Sequence, residues 1–356
     1  MSHLAQVFNA QSYRALPSVE ALADQYSLNQ IQREFIDHSR QQISQILKGE
    51  DPRLLLIIGP CSIHDPEAGL EYAQKLAQLQ HRYRDQLLIV MRTYFEKPRT
   101  RTGWKGLVVD PNLDGSQNLA QGLATAREFL TQVIDLKLAT ATEFLDTNIA
   151  PYLADLICWG AIGARTAESQ PHRQLASALP FPVGIKNGTG GDIDIAINAI
   201  HAMQEPHLMP FSGSERGALC ITSQGNPFGH IILRGGKTPN YQSPHVVNAS
   251  TQLSDDGLRP RLVIDCSHGN SEKIALNQLK VAKDIAKQLR DGERCIAGVM
   301  CESFLEAGNQ HVANTPLTYG QSITDACLDW QQSQQLIEQL AQAVNECQTA
   351  RCSTVA

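Results

Sequence analysis

The residues of this chain best suited to chemistry are four side chains of the types that bind transition metals. Each follows, or lies shortly beyond, an apolar run that predicts a buried strand. They are Cys61, His268, Glu302 and Asp325. A thiolate, an imidazole and two carboxylates form a mixed site for one divalent transition ion, with positions left open for water or a substrate oxygen. His64 is an alternative ligand, and Cys327 is assigned to core packing.

Arginine and lysine residues collect at the same predicted strand ends. The positions are Arg92, Lys97, Arg99, Lys105, Arg165, Lys186 and Arg234, with the acid Glu143 among them. A single cation beside a strand is ordinarily a solvated surface residue. Several cations converging on one mouth repel each other unless anions neutralise them, and arginine binds carboxylate and phosphate oxygens bidentately. The pattern therefore predicts ligands that carry two phosphates and a carboxylate.

These positions require strands whose ends meet at one edge. Apolar runs predict strands near 54–58, 87–91, 138–142, 155–158, 182–186, 230–234, 261–265 and 296–300. Helical spacing at 67–80, 119–136, 192–203, 274–289 and 329–347 alternates with them. Eight alternating strands predict an α/β fold, a (β/α)8 TIM barrel, with its chemistry at the C-terminal strand ends. An open doubly wound sheet is the alternative, but no Gly-x-Gly-x-x-Gly follows the first strand.

Two segments do not belong to the bare repeat. The first segment, residues 1–50, is predicted to be an N-terminal arm with a helix at 30–47. It would serve oligomer contacts or regulation, or else it would be a frayed tail. Residues 51–356 form the predicted catalytic barrel, and Gly-rich turns at about 207–228 predict an inserted β-hairpin. Long insertions in compact domains are usually functional.

The composition narrows the class of protein. The 356 residues carry a net charge of −6, which argues against nucleic acid as the main partner. No apolar run approaches ~18 residues, so no membrane association is predicted, and the first residues lack the pattern of a signal peptide. The nine cysteines are scattered without a Cys-x-x-Cys pair, which predicts a reducing, cytoplasmic environment.

Several segments, in order along the chain, resemble those of type I DAHP synthase, where DAHP is 3-deoxy-D-arabino-heptulosonate 7-phosphate. They are Gly-Pro-Cys-Ser-Ile-His-Asp at 59–65, Lys-Pro-Arg-Thr at 97–100, Gly-Trp-Lys-Gly at 103–106, Gly-Ala-Ile-Gly-Ala-Arg-Thr at 160–166, Lys-Asn-Gly-Thr at 186–189, Leu-Arg-Gly-Gly at 233–236 and Ser-Ile-Thr-Asp-Ala-Cys at 322–327. The resemblance covers roughly residues 40–345. It implies an enzyme that condenses phosphoenolpyruvate with D-erythrose 4-phosphate to give DAHP and phosphate, the entry to the shikimate pathway.

The resemblance also implies roles for individual residues. One divalent ion (Mn, Fe, Co or Zn) would be bound by Cys61, His268, Glu302 and Asp325. The residues implied for phosphoenolpyruvate are Arg92, Lys97, Lys105, Glu143, Ala164, Arg165, Lys186 and Arg234, while Arg99 and Thr100 would hold erythrose 4-phosphate. Lys97 joins Cys61 and His268 as a catalytic candidate. It would donate a proton, because crowding among cations lowers the pKa of an ammonium, or else it would only bind phosphate.

The family assembles as dimers or tetramers and is commonly inhibited by Phe, Tyr or Trp. We therefore expect a homodimer or homotetramer with an aromatic amino acid effector. The N-terminal segment, the insertion and the loops near 147–152 and 179–182 are expected to form its pocket. The chain departs from the family pattern at Arg101, Gly190 and Gly269, none of them a proposed ligand, and more broadly at 148–151 and 207–217. The identity of the effector is therefore not predicted.

Other functions stay open at this point. Lys186 at a barrel strand end could be the nucleophile of a Schiff-base aldolase. A similar barrel condenses phosphoenolpyruvate with arabinose 5-phosphate. A phosphate-binding or regulatory barrel without catalysis fits less well, because a binder needs no mixed thiolate–carboxylate metal site.

Overall fold

The computed structural model describes residues 7–9, 13–99, 101–313 and 316–355, with side chains as far as residue 350. Its strands, in chain order, are β1 (Leu54–Gly59), β2 (Leu87–Arg92), β3 (Ala139–Glu143), β4 (Trp159–Ile162), β5 (Val183–Lys186), β6 (Leu208–Ser214), β7 (Gly217–Thr222), β8 (Gly229–Leu233), β9 (Leu262–Asp265), β10 (Ile296–Glu302), β11 (Glu306–Asn309) and β12 (Gln321–Ser322). Strands β1–β5 and β8–β10 are parallel and form a closed barrel, because β1 pairs with both β2 and β10. The predicted TIM barrel is confirmed, and an open doubly wound sheet is excluded.

Helices cover the outside of the barrel. They are α1 (Val19–Gln25), α2 (Gln30–Lys48), α3 (Pro66–Arg82), α4 (Leu119–Asp135), α5 (Gln170–Ala178), α6 (Asp194–Gln204), α7 (Ser243–Asp255), α8 (Asn277–Arg290) and α9 (Trp330–Val355). Helix α3 begins as its sequence predicts. The Asp65 side chain accepts hydrogen bonds from the main-chain N–H groups of Glu67 and Ala68, and Pro66 occupies the first turn. This start fixes the loop that carries Cys61 and His64.

The fourth barrel strand lies four residues later than the sequence predicts. The apolar run at 155–158 suggested a strand there, but Ala154–Leu156 forms a 3-10 turn and β4 begins at Trp159. A Cβ atom on Gly160 would lie 2.9 Å from the Phe181 ring and 3.1 Å from the Phe144 ring. Two aromatic rings therefore occupy the space beside this glycine, and tertiary packing rather than strand propensity sets the position of β4.

The N-terminal segment packs against the inserted hairpin. Strands β6 and β7 pair antiparallel, and the residues of β7 are all exposed. The Ser214 hydroxyl donates a hydrogen bond to Glu20 at 2.6 Å, and the Ser18 hydroxyl donates to Glu215 at 3.1 Å. Nearby, the Tyr152 hydroxyl donates to the main-chain oxygen of Pro17 at 2.8 Å. The arm, the hairpin and the 3-10 turn Ala150–Tyr152 are thus joined within one chain.

A small parallel sheet of β11 and β12 follows the last barrel strand. No sequence pattern predicts it, because both strands are short and β11 is mostly exposed. It returns the chain over the barrel mouth and delivers Asp325 beside the end of β1. Among the described residues, no helix is both long and apolar enough to cross a membrane.

Candidate active site

Three of the four predicted metal ligands come together at the C-terminal mouth of the barrel. The ligand atoms of Cys61, Glu302 and Asp325 all lie within 4.8 Å of one another. Cys61 follows β1, Glu302 ends β10, and Gly59 pairs with Glu302 in the register of these adjacent strands. The Cys61 main-chain N–H donates to the Cys327 sulfur at 3.4 Å, so this buried thiol, assigned to packing, also supports the Cys61 loop.

His268 lies beside the three-residue cluster rather than within it. Its Nε2 is 4.0 Å from a Glu302 oxygen, and its Nδ1 is 2.8 Å from Oδ2 of Asp265. The Nδ1–Oδ2 contact is electrostatic, because it lacks the alignment of a hydrogen bond. Asp265 is fully buried, and although burial acts to raise its pKa, His268 and Lys186 hold that pKa well below its usual range. The Asp265 carboxylate contacts the Nδ1 side of the imidazole ring and so directs Nε2 toward Glu302, as acids that contact a metal-binding histidine commonly do.

The Glu302 carboxylate is buried and held from several sides. Arg92 Nη2 lies 3.1 Å from one oxygen, and the Ser267 hydroxyl donates to the other at 2.7 Å. Burial acts to raise the pKa of Glu302, but His268 and Arg92 outweigh it and lower the pKa to about 2. The Arg92 Nη1 group has no acceptor among the described residues. An ionised predicted ligand and a guanidinium with an unused donor group therefore lie together beneath the mouth.

The protonation states of Cys61 and Lys97 are linked. Burial, and next the negative charge of Glu302, raise the pKa of the Cys61 thiol to about 11. Burial acts to lower the pKa of Lys97, but Cys61 and Glu302 outweigh it, so that pKa lies above its ordinary value. The predicted lowering of the Lys97 pKa is therefore wrong, because the effects of a thiol and a carboxylate outweigh those of burial and of the neighbouring cation Arg92.

Five of the seven predicted cationic residues line a cavity of about 480 Å³ above this cluster. Its walls include Lys97, Arg99, Glu143, Ala164, Arg165, Lys186, Arg234, His268 and Asp325. At its floor the Lys186 ammonium lies 3.3 Å from Glu143 and 3.6 Å from Asp265. Burial acts to raise the pKa of Glu143, but Lys186 and Lys97 lower it overall. Lys186 thus forms ion pairs with two carboxylates, whereas the lysine of a Schiff-base aldolase must attack as a neutral amine.

A second cavity of about 550 Å³ adjoins the first. The two share Arg99, Thr102, Thr324 and Asp325. Lys105 lines the second cavity and not the first, so it is separated from the other residues implied for phosphoenolpyruvate. Thr100 lies outside the described residues. His64 is not among the clustered ligand atoms; its buried Nδ1 has no partner, and burial lowers its pKa.

Comparison with known proteins decides the family. The model of the DAHP synthetase I family matches residues 26–338. The chain belongs to this family. A Trp-sensitive phospho-2-dehydro-3-deoxyheptonate aldolase of Enterobacter agglomerans is 52% identical over 327 residues, covering 91% of this chain and 94% of the relative. The protein of the same name from Escherichia coli K12 is 53% identical over 312 residues, 87% of this chain and 89% of that one.

A solved structure supports the same conclusion. The phospho-2-dehydro-3-deoxyheptonate aldolase of Francisella tularensis SCHU S4 superposes with a TM-score of 0.92 at 43% identity, covering 95% of this chain and 99% of that one. This member of the DAHP synthetase I family is therefore an enzyme. It condenses phosphoenolpyruvate with D-erythrose 4-phosphate to DAHP and phosphate, the first step of the shikimate pathway.

Sequence reasoning about this DAHP synthase missed the residues that support the predicted ligands. Asp265 orients His268 and pairs with Lys186. The side chain of Gln278 accepts a hydrogen bond from the main-chain N–H of Glu302 and donates one to the Glu302 carbonyl oxygen. A signal for Asp265 existed, since it is an acid at the very end of an apolar strand, where barrel enzymes place functional groups. Gln278 gave none, because it lies in the first turn of a surface helix.

Proposed function

We propose that the two adjoining cavities divide the substrates of the condensation. Phosphoenolpyruvate would occupy the cavity lined by Arg165, Lys186 and Arg234, and erythrose 4-phosphate the cavity that Arg99 enters. The observation that carries this proposal is the position of Asp325, which lines both cavities and belongs to the clustered ligands. A metal held there would lie at the junction, where the two reacting carbons have to meet.

One divalent metal ion at Cys61, Glu302 and Asp325, with His268 completing the set, is part of the proposal. The donor types fit, since a thiolate with imidazole and carboxylates suits Mn, Fe, Co or Zn better than Mg or Ca. The low pKa of Glu302 supplies one ligand already ionised. Such an ion, when bound, acts as a Lewis acid toward the aldehyde oxygen.

The remaining residues would bind and orient phosphoenolpyruvate. Arg165, Lys186 and Arg234 present charges to its carboxylate and phosphate, and the unpartnered Nη1 of Arg92 is available from beneath. Holding the enol carbon against the aldehyde makes the attack nearly unimolecular, worth up to ~7–11 kcal/mol in favourable cases. Lys97 first supplies positive charge for an oxyanion. Its Nζ is also the group we assign to protonate the aldehyde oxygen as the C–C bond forms. Water then adds to the carbon that bears the phosphate group, and inorganic phosphate leaves by cleavage of its C–O bond.

The test is an assay of phosphoenolpyruvate consumption against a panel of sugars, with and without chelator. We expect turnover with erythrose 4-phosphate and little with arabinose 5-phosphate, loss of turnover on chelation, and recovery on adding a transition metal. Turnover that survives chelation, together with an adduct at Lys186 trapped by borohydride, would replace this proposal with the Schiff-base aldolase.

Feedback inhibition by an aromatic amino acid is the second part of the proposal, and the names of the relatives make Trp the first to test. The contacts that join Pro17, Ser18 and Glu20 to the hairpin and to Tyr152 support an effector pocket at this junction, in a homodimer or homotetramer. The arm 1–50 would then be a regulatory unit on the catalytic barrel 51–356. An inhibitory effector must bind the inactive state better than the active state, by typically ~1–3 kcal/mol. If residues 1–15 contribute to its pocket, removing them should abolish inhibition and leave catalysis largely intact.

Titration of Phe, Tyr and Trp against full-length and truncated enzyme, together with the oligomeric state of each, tests this part. Undiminished inhibition after truncation would exclude the removed residues from the pocket. We also propose a cytoplasmic location, supported by the free thiols of all the described cysteines.

A further inference from the structure

The second cavity lies between two loops of different origin. One wall comes from the loop after β2, with Arg99, Trp104 and Lys105, and the opposite wall from residues 309–312 after β11. Asp110 is also in the first wall, but its carboxylate accepts the main-chain N–H of Gly115 at 3.1 and 3.3 Å. Asp110 keeps its negative charge while it accepts this bond, so this wall carries two cations, Arg99 and Lys105, and one acid.

The opposite wall presents a histidine with one nitrogen already occupied. The main-chain N–H of Ala313 donates to Nδ1 of His311 at 3.2 Å. A ring nitrogen that accepts a hydrogen bond carries no proton, so the neutral ring carries its hydrogen on Nε2. Among the described residues Nε2 has no hydrogen-bond partner, and His311 is exposed to the cavity it lines. This wall therefore offers one unused N–H donor.

The chain around His311 is fastened rather than loose. Gln310 accepts a hydrogen bond from the Thr318 main-chain N–H and donates one to the Thr318 carbonyl, both at 2.8 Å. The adjacent Asn309 side chain donates to the carbonyl of Thr324 at 2.8 Å, directly before the predicted ligand Asp325. His311 is thereby held at a fixed place relative to the clustered ligands and across the cavity from Arg99.

We propose that His311 is a further substrate-binding residue, whose Nε2–H donates to the phosphate of the four-carbon aldehyde opposite Arg99 and Lys105. This inference rests on the proposed division of the two substrates between the two cavities. A phosphate monoester offers three acceptor oxygens, and a guanidinium and an ammonium on one side leave room for a donor from the other. His311 would distinguish phosphorylated from unphosphorylated aldehydes and would have no contact with phosphoenolpyruvate.

The substitution His311→Asn separates this role from a structural one. The Asn oxygen can accept the Ala313 N–H in the same two-residue turn, but the shorter side chain lacks the Nε2 donor. We expect the KM for erythrose 4-phosphate to rise about tenfold, as for a lost hydrogen bond to a charged group. The KM for phosphoenolpyruvate, kcat and the melting temperature should stay within about twofold or a few degrees of the unchanged enzyme. His311→Gln, whose amide is a donor, should recover part of the loss.

His201→Asn is the matched control, because His201 is an exposed histidine on α6 that lines neither cavity. An unaltered KM for erythrose 4-phosphate in His311→Asn, or an equal rise for both substrates, would overturn the inference and leave the proposed function standing. Absence of turnover with erythrose 4-phosphate by the unchanged enzyme would overturn both, so the two failures are distinguishable.

Discussion

Asp265 is a buried acid whose replacement should weaken the metal site without touching a metal ligand. Its Oδ1 accepts the main-chain N–H of Ser267 at 2.9 Å, while its Oδ2 faces His268 and Lys186. In Asp265→Asn the oxygen can keep the Ser267 bond. The amide NH₂ then replaces Oδ2 and opposes Nδ1 of His268 and the Lys186 ammonium, so a favourable contact at 2.8 Å becomes two donors facing each other.

The expected magnitude follows from that geometry. Losing an outer-shell partner typically lowers metal affinity about 10- to 100-fold, which corresponds to roughly 1.4–2.7 kcal/mol. Lys186 keeps Glu143 at 3.3 Å, so the KM for phosphoenolpyruvate should rise much less. Competition with a chromogenic chelator measures the affinity, and turnover at increasing metal measures the recovery. We expect saturating metal to restore most of kcat.

Asp155→Asn is the matched control. It changes another acid that pairs with a buried cation, Arg127, but its own side chain is 43% exposed and it lines neither active-site cavity. It should lower stability and leave metal affinity unchanged. If Asp265→Asn binds metal as tightly as the unchanged enzyme, or if saturating metal restores no turnover, then Asp265 does not act through His268.

Three further perturbations test other parts of the site and the barrel. Cys61→Ser should lose bound metal and turnover while keeping its melting temperature. Because the Cys61 thiol is protonated when no metal is bound, its proton must leave before the metal can bind, and the metal affinity of the unchanged enzyme should rise about tenfold per pH unit. If Cys61→Ser shows the same dependence of metal affinity on pH, Cys61 is not a ligand. Arg234→Ala should raise the KM for phosphoenolpyruvate and lower kcat, since a lost charge-assisted contact costs ~2–4 kcal/mol; equal weakening of both substrates counts against this placement. Burial lowers the pKa of His230 to about 4 from an ordinary 6.5, so the stability it contributes is present above pH 6.5 and is lost as the pH falls toward 4, by roughly 3 kcal/mol; denaturant unfolding at pH 7 and pH 4.5 should show this loss, and His230→Gln, which can still accept from Trp159, should show a smaller one.

The elements that the sequence predicted well are those whose signal is local. The run at 54–58 is uniformly apolar because β1 is buried on both faces, and the cap at Asp65 fixes the next helix independently of the rest. The fourth strand was misplaced because Leu156 and Ile157 are as apolar as a strand, while the true strand contains a glycine that only its aromatic neighbours explain.

The site was predictable in its residue types and less so in its electrostatics. Strand ends in a barrel converge, which brings Cys61 and Glu302 together, whereas Asp325 reaches them from the small sheet of β11 and β12 outside the barrel. The direction of the Lys97 shift could not be read in that way. Cys61 and Glu302, the groups that raise its pKa most, come from remote parts of the chain, whereas the cation nearest to it in sequence is Arg99, two residues away.

The barrel closes along the seam between β1 and β10, and the proposed metal site lies on that seam. Gly59 and Glu302 face each other across it, with Cys61 two residues beyond, although β1 and β10 are the first and last barrel strands in the chain. Contacts between such distant segments are the costliest for a folding chain to form, because the whole intervening loop must be closed. An ion bound there would link the first and last barrel strands, so release of the metal and separation of β1 from β10 would be coupled. A nascent chain that lacks β10 would have no metal site.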